Sequence, residues 1–204
     1  MIRLPASIRA ACLLAVVSAL AACANRAPTQ FYTLLAPADA TPVPGEPGYA
    51  IELLPVVVPE QVDVPQLVLR SGSGALQPVD TRRWAAPLGE ELRTALSARL
   101  SARLGVRDVY RLASPASLPL YRVRVRVGRF DSVPADYALL DAGWSVERRD
   151  DRSVRTCDAR YREDVGAGID ALVAGHQQAL ARLADDIAAT LRRFDAGGCP
   201  DTRT

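Results

Sequence analysis

This chain contains no lysine and a single histidine, His176. One histidine excludes a His-Glu-x-x-His zinc site, and the sequence has no paired Cys-x-x-Cys to replace it. A phosphate-binding loop and a Gly-x-Ser-x-Gly nucleophile turn are also missing. Ser71-Gly72-Ser73-Gly74 is rich in glycine, but no lysine-bearing helix follows it, so it reads as a turn. Asp150-Asp151 and Asp185-Asp186 are adjacent residues, and neighbours on a strand or helix point apart. They make poor shared metal ligands or acid–base pairs. Long apolar runs are scarce as well. The one near the start, Ala10 to Leu20, is shorter than the roughly 20 residues that span a bilayer. These absences predict no catalytic residue, no cofactor and no metal, and shift the reading from enzyme to binding or assembly.

What is present begins at the N-terminus. Arg3 and Arg9 precede the apolar run, and Leu20-Ala21-Ala22-Cys23 closes it. A basic start, an apolar middle and small residues before a cut form a secretory signal. A cysteine directly after the small residues resembles the lipobox of bacterial lipoproteins. That resemblance implies a diacylglyceryl thioether on Cys23, cleavage before it, and acylation of the new amino group. Residues 1–22 are then signal peptide and 23–30 a lipidated tether. Each buried methylene contributes about 0.8 kcal/mol, one chain binds only marginally, and several on one cysteine hold effectively permanently. Ala24 rather than Asp after the cysteine implies, by the general sorting rule, an outer-membrane address facing the periplasm, with the inner membrane as the alternative.

The chain carries 25 basic and 23 acidic residues, and cleavage would remove Arg3, Arg9 and no acid, leaving the mature charge balanced. A balanced domain argues against nucleic acid and against a polybasic grip on a membrane. The exclusive use of arginine reads as codon bias of a GC-rich genome. Cys12 leaves with the signal and Cys23 takes the lipid, so Cys157 and Cys199 remain. In an oxidising periplasm such a pair is a disulfide candidate; two separate buried thiols are the alternative.

Residues 31–199 read as one α+β domain, with 200–204 as a tail. Phe31 to Leu35 and Tyr49 to Val58 are strands, the second with Pro55 suggesting an edge or bulge. Between them Pro37, Pro42, Pro44 and Pro47 make a loop. Gln66 to Arg70 and Ala75 to Val79 flank a glycine-rich hairpin turn. Pro87 opens a helix whose leucines recur from Leu88 to Leu104, and Gly105 caps it. Val106 to Leu112 is a further strand. Tyr121 to Val127 alternates apolar residues with Arg122, Arg124 and Arg126, a period of two that puts them on opposite faces. After a turn at Asp131 to Asp136, Leu140, Trp144 and Val146 share a face of the next strand. Cys157, Ala159 and Tyr161 do so on a third. The arginine face is a solvated surface with Asp141 and Glu147 as cross-strand partners, or else a docking surface. A long amphipathic helix, Ile169 to Phe194, packs across the inner face of this meander. His176 falls in its apolar stripe, as a core residue rather than a general base. The fold expected is a mostly antiparallel sheet with two main helices.

The order of features resembles a known family. After the lipobox come Phe31-Tyr32-Thr33-Leu34 and Val56-Val57-Val58-Pro59. Val62-Asp63-Val64-Pro65-Gln66-Leu67-Val68, Trp84-Ala85-Ala86-Pro87-Leu88 and the closing helix follow. The chain is similar to the ABC-type transport auxiliary lipoproteins, the PqiC/YmbA-like proteins, over essentially its whole mature length. It departs in having Gln61 and Val62 where tyrosine or leucine is often found before the Asp. The resemblance implies a non-catalytic lipoprotein beside an MCE-type intermembrane lipid transporter with a permease and a cytoplasmic ATPase. Its implied partner is the MCE protein or a second copy of itself. Of the exposed candidates, the loop Asp63, Val64, Pro65, Gln66 is favoured as the partner-binding segment, because loops held by strands commonly carry binding residues. A structural lipoprotein of another envelope complex, or a periplasmic hydrolase, are the alternatives.

Overall fold

The computed structural model describes residues 28–36, 48–72, 74–113 and 117–200. Residues 1–27, including the expected signal peptide and Cys23, the proline-rich stretch 37–47, Ser73, residues 114–116 and 201–204 lie outside the described residues. In chain order the elements are β1 (Gln30–Tyr32), β2 (Ala50–Leu53), β3 (Gln66–Ser71), β4 (Ala75–Trp84), α1 (Leu88–Leu104), β5 (Leu120–Val133), β6 (Tyr137–Arg148), β7 (Val154–Asp164) and α2 (Ile169–Arg192). The strands form two sheets, ordered β1-β4-β3 and β2-β5-β6-β7.

The architecture is α+β, with mixed sheets. The hairpins β3–β4, β5–β6 and β6–β7 are antiparallel, whereas β1 runs parallel to β4 and β2 parallel to β5. Alternation within a strand reports which face is buried but says nothing of a distant parallel neighbour. That is why the parallel pairs were not foreseen.

The alternation of β5 buries Val123, Val125 and Val127. β6 adds Leu140, Ala142, Trp144 and Val146, and β7 adds Cys157, Ala159 and Tyr161. The buried stripe of α2, including Leu180, Leu183, Ala184 and Ile187, belongs to the same core. Two large polar side chains taken into this interface have partners. The Trp144 indole donates to Thr190 Oγ1 at 3.1 Å, and the Tyr161 hydroxyl donates to Asp186 at 2.6 Å. Burial first, then Asp186, raises the Tyr161 phenol well above its usual range. Gly175 lets helix and sheet approach closely: a Cβ there would stand 2.5 Å from Val165 Cγ1 and 3.0 Å from the Ala138 Cβ.

α1 buries Leu88, Leu92, Ala95, Leu96 and Leu100, and Gly105 ends it in the left-handed region at φ 64°. Its Glu91 is buried and accepts the Leu34 N–H at 2.9 Å and the Thr33 hydroxyl at 2.7 Å. The carboxylate thereby serves backbone that a sheet neighbour would otherwise serve, and β1 stops at Tyr32 instead of reaching Leu35. A similar substitution shortens the segment expected as a strand from Val106 to Leu112. It makes only a bridge to Ile51, while Asp108 Oδ1 accepts the N–H groups of Leu53 and Tyr110 at 3.1 and 3.0 Å. β5 is longer than expected. The register shifts between Val127 and Arg129, a bulge at Gly128, and the strand runs on to Val133, so Asp131 and Ser132 are buried strand residues rather than a turn.

α2 ends at Arg192, and Gly197 and Gly198, at φ 75° and 88°, lie in the tail that follows. Cys157 and Cys199 are joined there as a disulfide, with Cα atoms 5.7 Å apart across a sequence separation of 42. In the purified protein Cys157 and Cys199 should therefore not be alkylatable before reduction. By the chain-entropy argument, reduction should cost roughly 4 kcal/mol of stability. Mass spectrometry of the non-reduced protein checks this, and two alkylatable cysteines would show that no bridge forms.

Candidate functional site

Pro55 has no amide hydrogen to give a sheet. β2 ends at Leu53, and the chain rejoins β5 at Val57. Val57 donates its N–H to the Val125 carbonyl at 3.2 Å and accepts the Val127 N–H at 2.8 Å. Two backbone bonds thus pin this residue while its side chain stays 58% exposed. The result is a fixed apolar ridge on the surface.

Two depressions share the ridge. The first, of about 490 Å³, is lined by Val56, Val58, Asp63, Pro87, Gly89 and Glu90. Gly89 is what allows the chain to pack so closely there, because a Cβ would stand 2.9 Å from the Val56 carbonyl oxygen. The second, of about 630 Å³, is lined by Pro55 and Val57 together with Arg124, Arg126, Gly143 and Asp158. Gly143 lies in register between Arg126 and Asp158 and contributes no side chain to fill the floor. The first depression carries the carboxylates of Asp63 and Glu90, and the second carries both signs, Arg124 and Arg126 with Asp141 and Asp158.

Most arginines of the outer face are engaged. Arg122 pairs with Glu52 at 2.7 Å, Arg124 with Glu147 at 2.9 Å and Arg160 with Asp141 at 2.8 Å. The hydrogen bond from Arg124 is the main reason the Glu147 carboxyl lies below its usual range. Arg126 has no such carboxylate partner among the described residues. Its guanidinium is left to face the groove.

Of the loop residues singled out from sequence, Asp63 and Pro65 are exposed, and Val64 and Gln66 are half-buried. Asp63 lines the first depression. Two others serve the hairpin base: the Pro65 carbonyl accepts the Trp84 N–H at 2.9 Å, and Gln66 opens β3 opposite Arg83, while Val64 packs against the core. The structure therefore joins Asp63 and the arginine face, two separate candidates in the sequence, through the Pro55–Val57 segment. Sequence reasoning missed Val57. Its only signal was a proline two residues earlier in an apolar run.

His176 lies elsewhere, with a serine and an aspartate close by. Ser132 Oγ and His176 Nε2 are 2.8 Å apart, and Asp131 is the next residue on β5. This is not a nucleophile–base pair open to substrate. Ser132 and His176 are each 2% exposed, the imidazole is stacked on Phe130, and Asp131 is ion-paired with Arg70 and Arg129. Burial holds the imidazole neutral, lowering its pKa to about 3, against a smaller opposing pull from Asp131. Nδ1 has no hydrogen-bond partner, so a proton added there would find nothing to accept it. The linkage has a definite sign. The folded pKa lies below the unfolded value of 6.5, so this contribution is complete above pH 6.5 and is lost as pH falls towards 3. Denaturant unfolding from pH 7.5 to 4 should show the wild type losing more stability than His176→Gln. The difference should approach a few kcal/mol at the acid end; parallel profiles would contradict the assignment.

Among the described residues no helix is long and apolar enough to cross a membrane, and no three His, Cys, Asp or Glu side chains gather as a metal site. No curated protein matches the chain. Two solved structures share its fold. A crystal structure of an uncharacterized protein is 17% identical with a TM-score of 0.65, the match covering 81% of this chain and 99% of that one. A Xanthomonas campestris protein of the DUF330 family is 19% identical with a TM-score of 0.64, covering 82% and 98%. At these identities the likeness concerns the fold alone. The sequence profile of the family described as ABC-type transport auxiliary lipoprotein component matches residues 32–188, from the end of β1 through most of α2. The chain belongs to the family of ABC-type transport auxiliary lipoproteins.

Proposed function

We propose that this protein is a non-catalytic accessory of an ABC-driven intermembrane lipid transporter, docking its MCE-type component at the outer membrane. Family membership supports a role in ABC transport. The lipobox supports an anchor on Cys23, after which the domain works at the periplasmic face. The observation that carries the docking reading is the pinned, 58% exposed Val57 between a depression lined by Asp63 and Glu90 and one lined by Arg124, Arg126, Asp141 and Asp158. An apolar anchor flanked by opposite charges suits recognition of a protein segment: burial of the anchor gives affinity, and the flanking charges set orientation. The energy of transport comes from the ATPase. The deep burial of Ser132 and His176 weighs against a hydrolase.

Two linked experiments test this reading. Cys23→Ser should abolish labelling by a fatty-acid analogue. Photocrosslinkers at Val57, Asp63 and Arg126 in intact cells should give adducts that vanish when the MCE gene is deleted. Val57→Asp should weaken the interaction by roughly tenfold or more, the scale of losing a central apolar anchor. Absence of any MCE-dependent adduct, together with turnover of an envelope substrate by the purified protein, would rule the proposal out.

A further inference from the structure

The outer face of the four-stranded sheet is built in rows that cross its strands. One row holds Val57, Arg126, Gly143 and Asp158: the last three are in register on β5, β6 and β7, and Val57 is bridged to Arg126. Residues in register share a face, so an apolar group, a cation, a gap and an anion follow one another over about 14 Å, three strand spacings. Elsewhere on this face a β6 carboxylate takes up a neighbouring cation: Glu147 pairs with Arg124, and Asp141 with Arg160. Gly143 has no carboxylate to do so. The backbones carrying Arg126 and Asp158 stay about 10 Å apart, two strand spacings, and neither residue is ion-paired among the described residues.

Neither backbone conformation nor packing asks for glycine at position 143. Gly143 is not among the glycines held at positive φ. An added Cβ would meet the Cys157 carbonyl oxygen at 3.6 Å and the Asp158 Cβ at 4.0 Å, which is ordinary van der Waals contact. At Gly89 and Gly175 the same atom would stand only 2.9 and 2.5 Å from a neighbour, so those two glycines serve the packing. A glycine inside a long strand weakens it, because it has more freedom to lose and no side chain to pack. What Gly143 provides is space. That space opens into the depression of about 630 Å³ beside the exposed Val57.

We propose that the gap over Gly143 receives one apolar side chain of the docked partner, set between a partner acid on Arg126 and a partner base on Asp158. The occupant is a protein segment of mixed charge. An anionic lipid surface would be repelled by Asp158, and an acyl chain has no use for two opposite charges. A second copy matches the row only in part. A two-fold contact centred on Gly143 brings Arg126 of each copy to Asp158 of the other. It leaves Val57 uncovered, because β7 is the edge of the sheet and no strand of the other copy lies beyond it. The proposal rests on the docking reading and adds to it the positions that select the partner.

The test uses the full chain in intact cells, with a photocrosslinker at Asp63, which lines the neighbouring depression, as the reporter of docking. Gly143→Ala should lower the yield of MCE-dependent adduct several-fold, and Gly143→Val about tenfold or more, as an overfilled site does. Both purified variants should melt no lower than the wild type, since each gives the strand a side chain. A lower melting temperature for Gly143→Ala would show that the fold itself requires the glycine and overturns the proposal. Arg126→Asp and Asp158→Arg should each lower the yield, and the double variant should lower it further. Recovery in the double variant, with adducts of twice the chain mass, identifies a second copy as the occupant and overturns the proposal. Adducts of phospholipid mass overturn it as well. An undiminished yield from folded Gly143→Val overturns the slot and leaves the docking reading standing. No MCE-dependent adduct from the chain with Gly143 intact ends both.

Discussion

Phe130 is where the packed units of this fold meet. Its ring stacks on the His176 imidazole of α2, with centroids 3.9 Å apart and planes 10° from parallel, and it meets Trp84 of β4 edge-on at 6.1 Å. One side chain of the four-stranded sheet thereby touches both the three-stranded sheet and the long helix. Its position depends on Gly128. The bulge there inserts one residue after Val127, so the inward phase passes to Phe130 instead of Arg129. Beyond the bulge both faces of β5 are covered: Asp131 turns to Arg70 of β3, and Ser132 to His176. Without the phase change an arginine would occupy the junction, and an unpaired charge there would cost far more than the aromatic contacts return.

Much of this fold was legible from periodicity. The three long strands, the leucine stripe of α1 and the buried stripe of α2 follow from periods of two and of three to four, since each buries one face. The misreadings share one cause. At Leu34 and Leu53 a carboxylate from a distant element, Glu91 or Asp108, takes a backbone N–H that a strand neighbour would otherwise take, and Asp108 also takes the N–H of Tyr110, two residues on. Such substitutions satisfy the backbone equally well but leave no periodic trace in the local sequence. Asp131 and Ser132 misled differently. Their residue types favour turns, and only the coverage on both sides of β5 explains two polar residues buried in a strand.

The arginine face shows how charge can be abundant and yet do little at long range. Arg122, Arg124 and Arg160 each meet a carboxylate from the neighbouring strand, which neutralises the sheet surface locally. Exposed pairs of this kind add at most about 1 kcal/mol each. Their larger effect is to remove free charge, so that Arg126, which has no such partner among the described residues, is set apart from Arg122 and Arg124 on the same strand. Counting arginines along β5 could not separate the paired from the free, because Glu52 lies some seventy residues away and only the parallel register of β2 brings it into contact.

The candidate site was only half legible, for a related reason. The two segments most characteristic in the sequence, Asp63 to Gln66 and Trp84 to Leu88, are tied directly to each other through the Pro65 carbonyl and the Trp84 N–H. Trp84 is buried against Phe130, so these segments hold the hairpin onto the core, and Asp63 lines the depression beside Val57. What makes the surface suited to binding is instead the apolar side chain of Val57, kept in the open by two backbone bonds and a missing proline hydrogen. Apolar residues in a strand are ordinarily read as core, and from sequence Val57 is indistinguishable from Val56, which is buried. Recognition at a surface has no need of rare residue types, only of ordinary ones held where water can reach them.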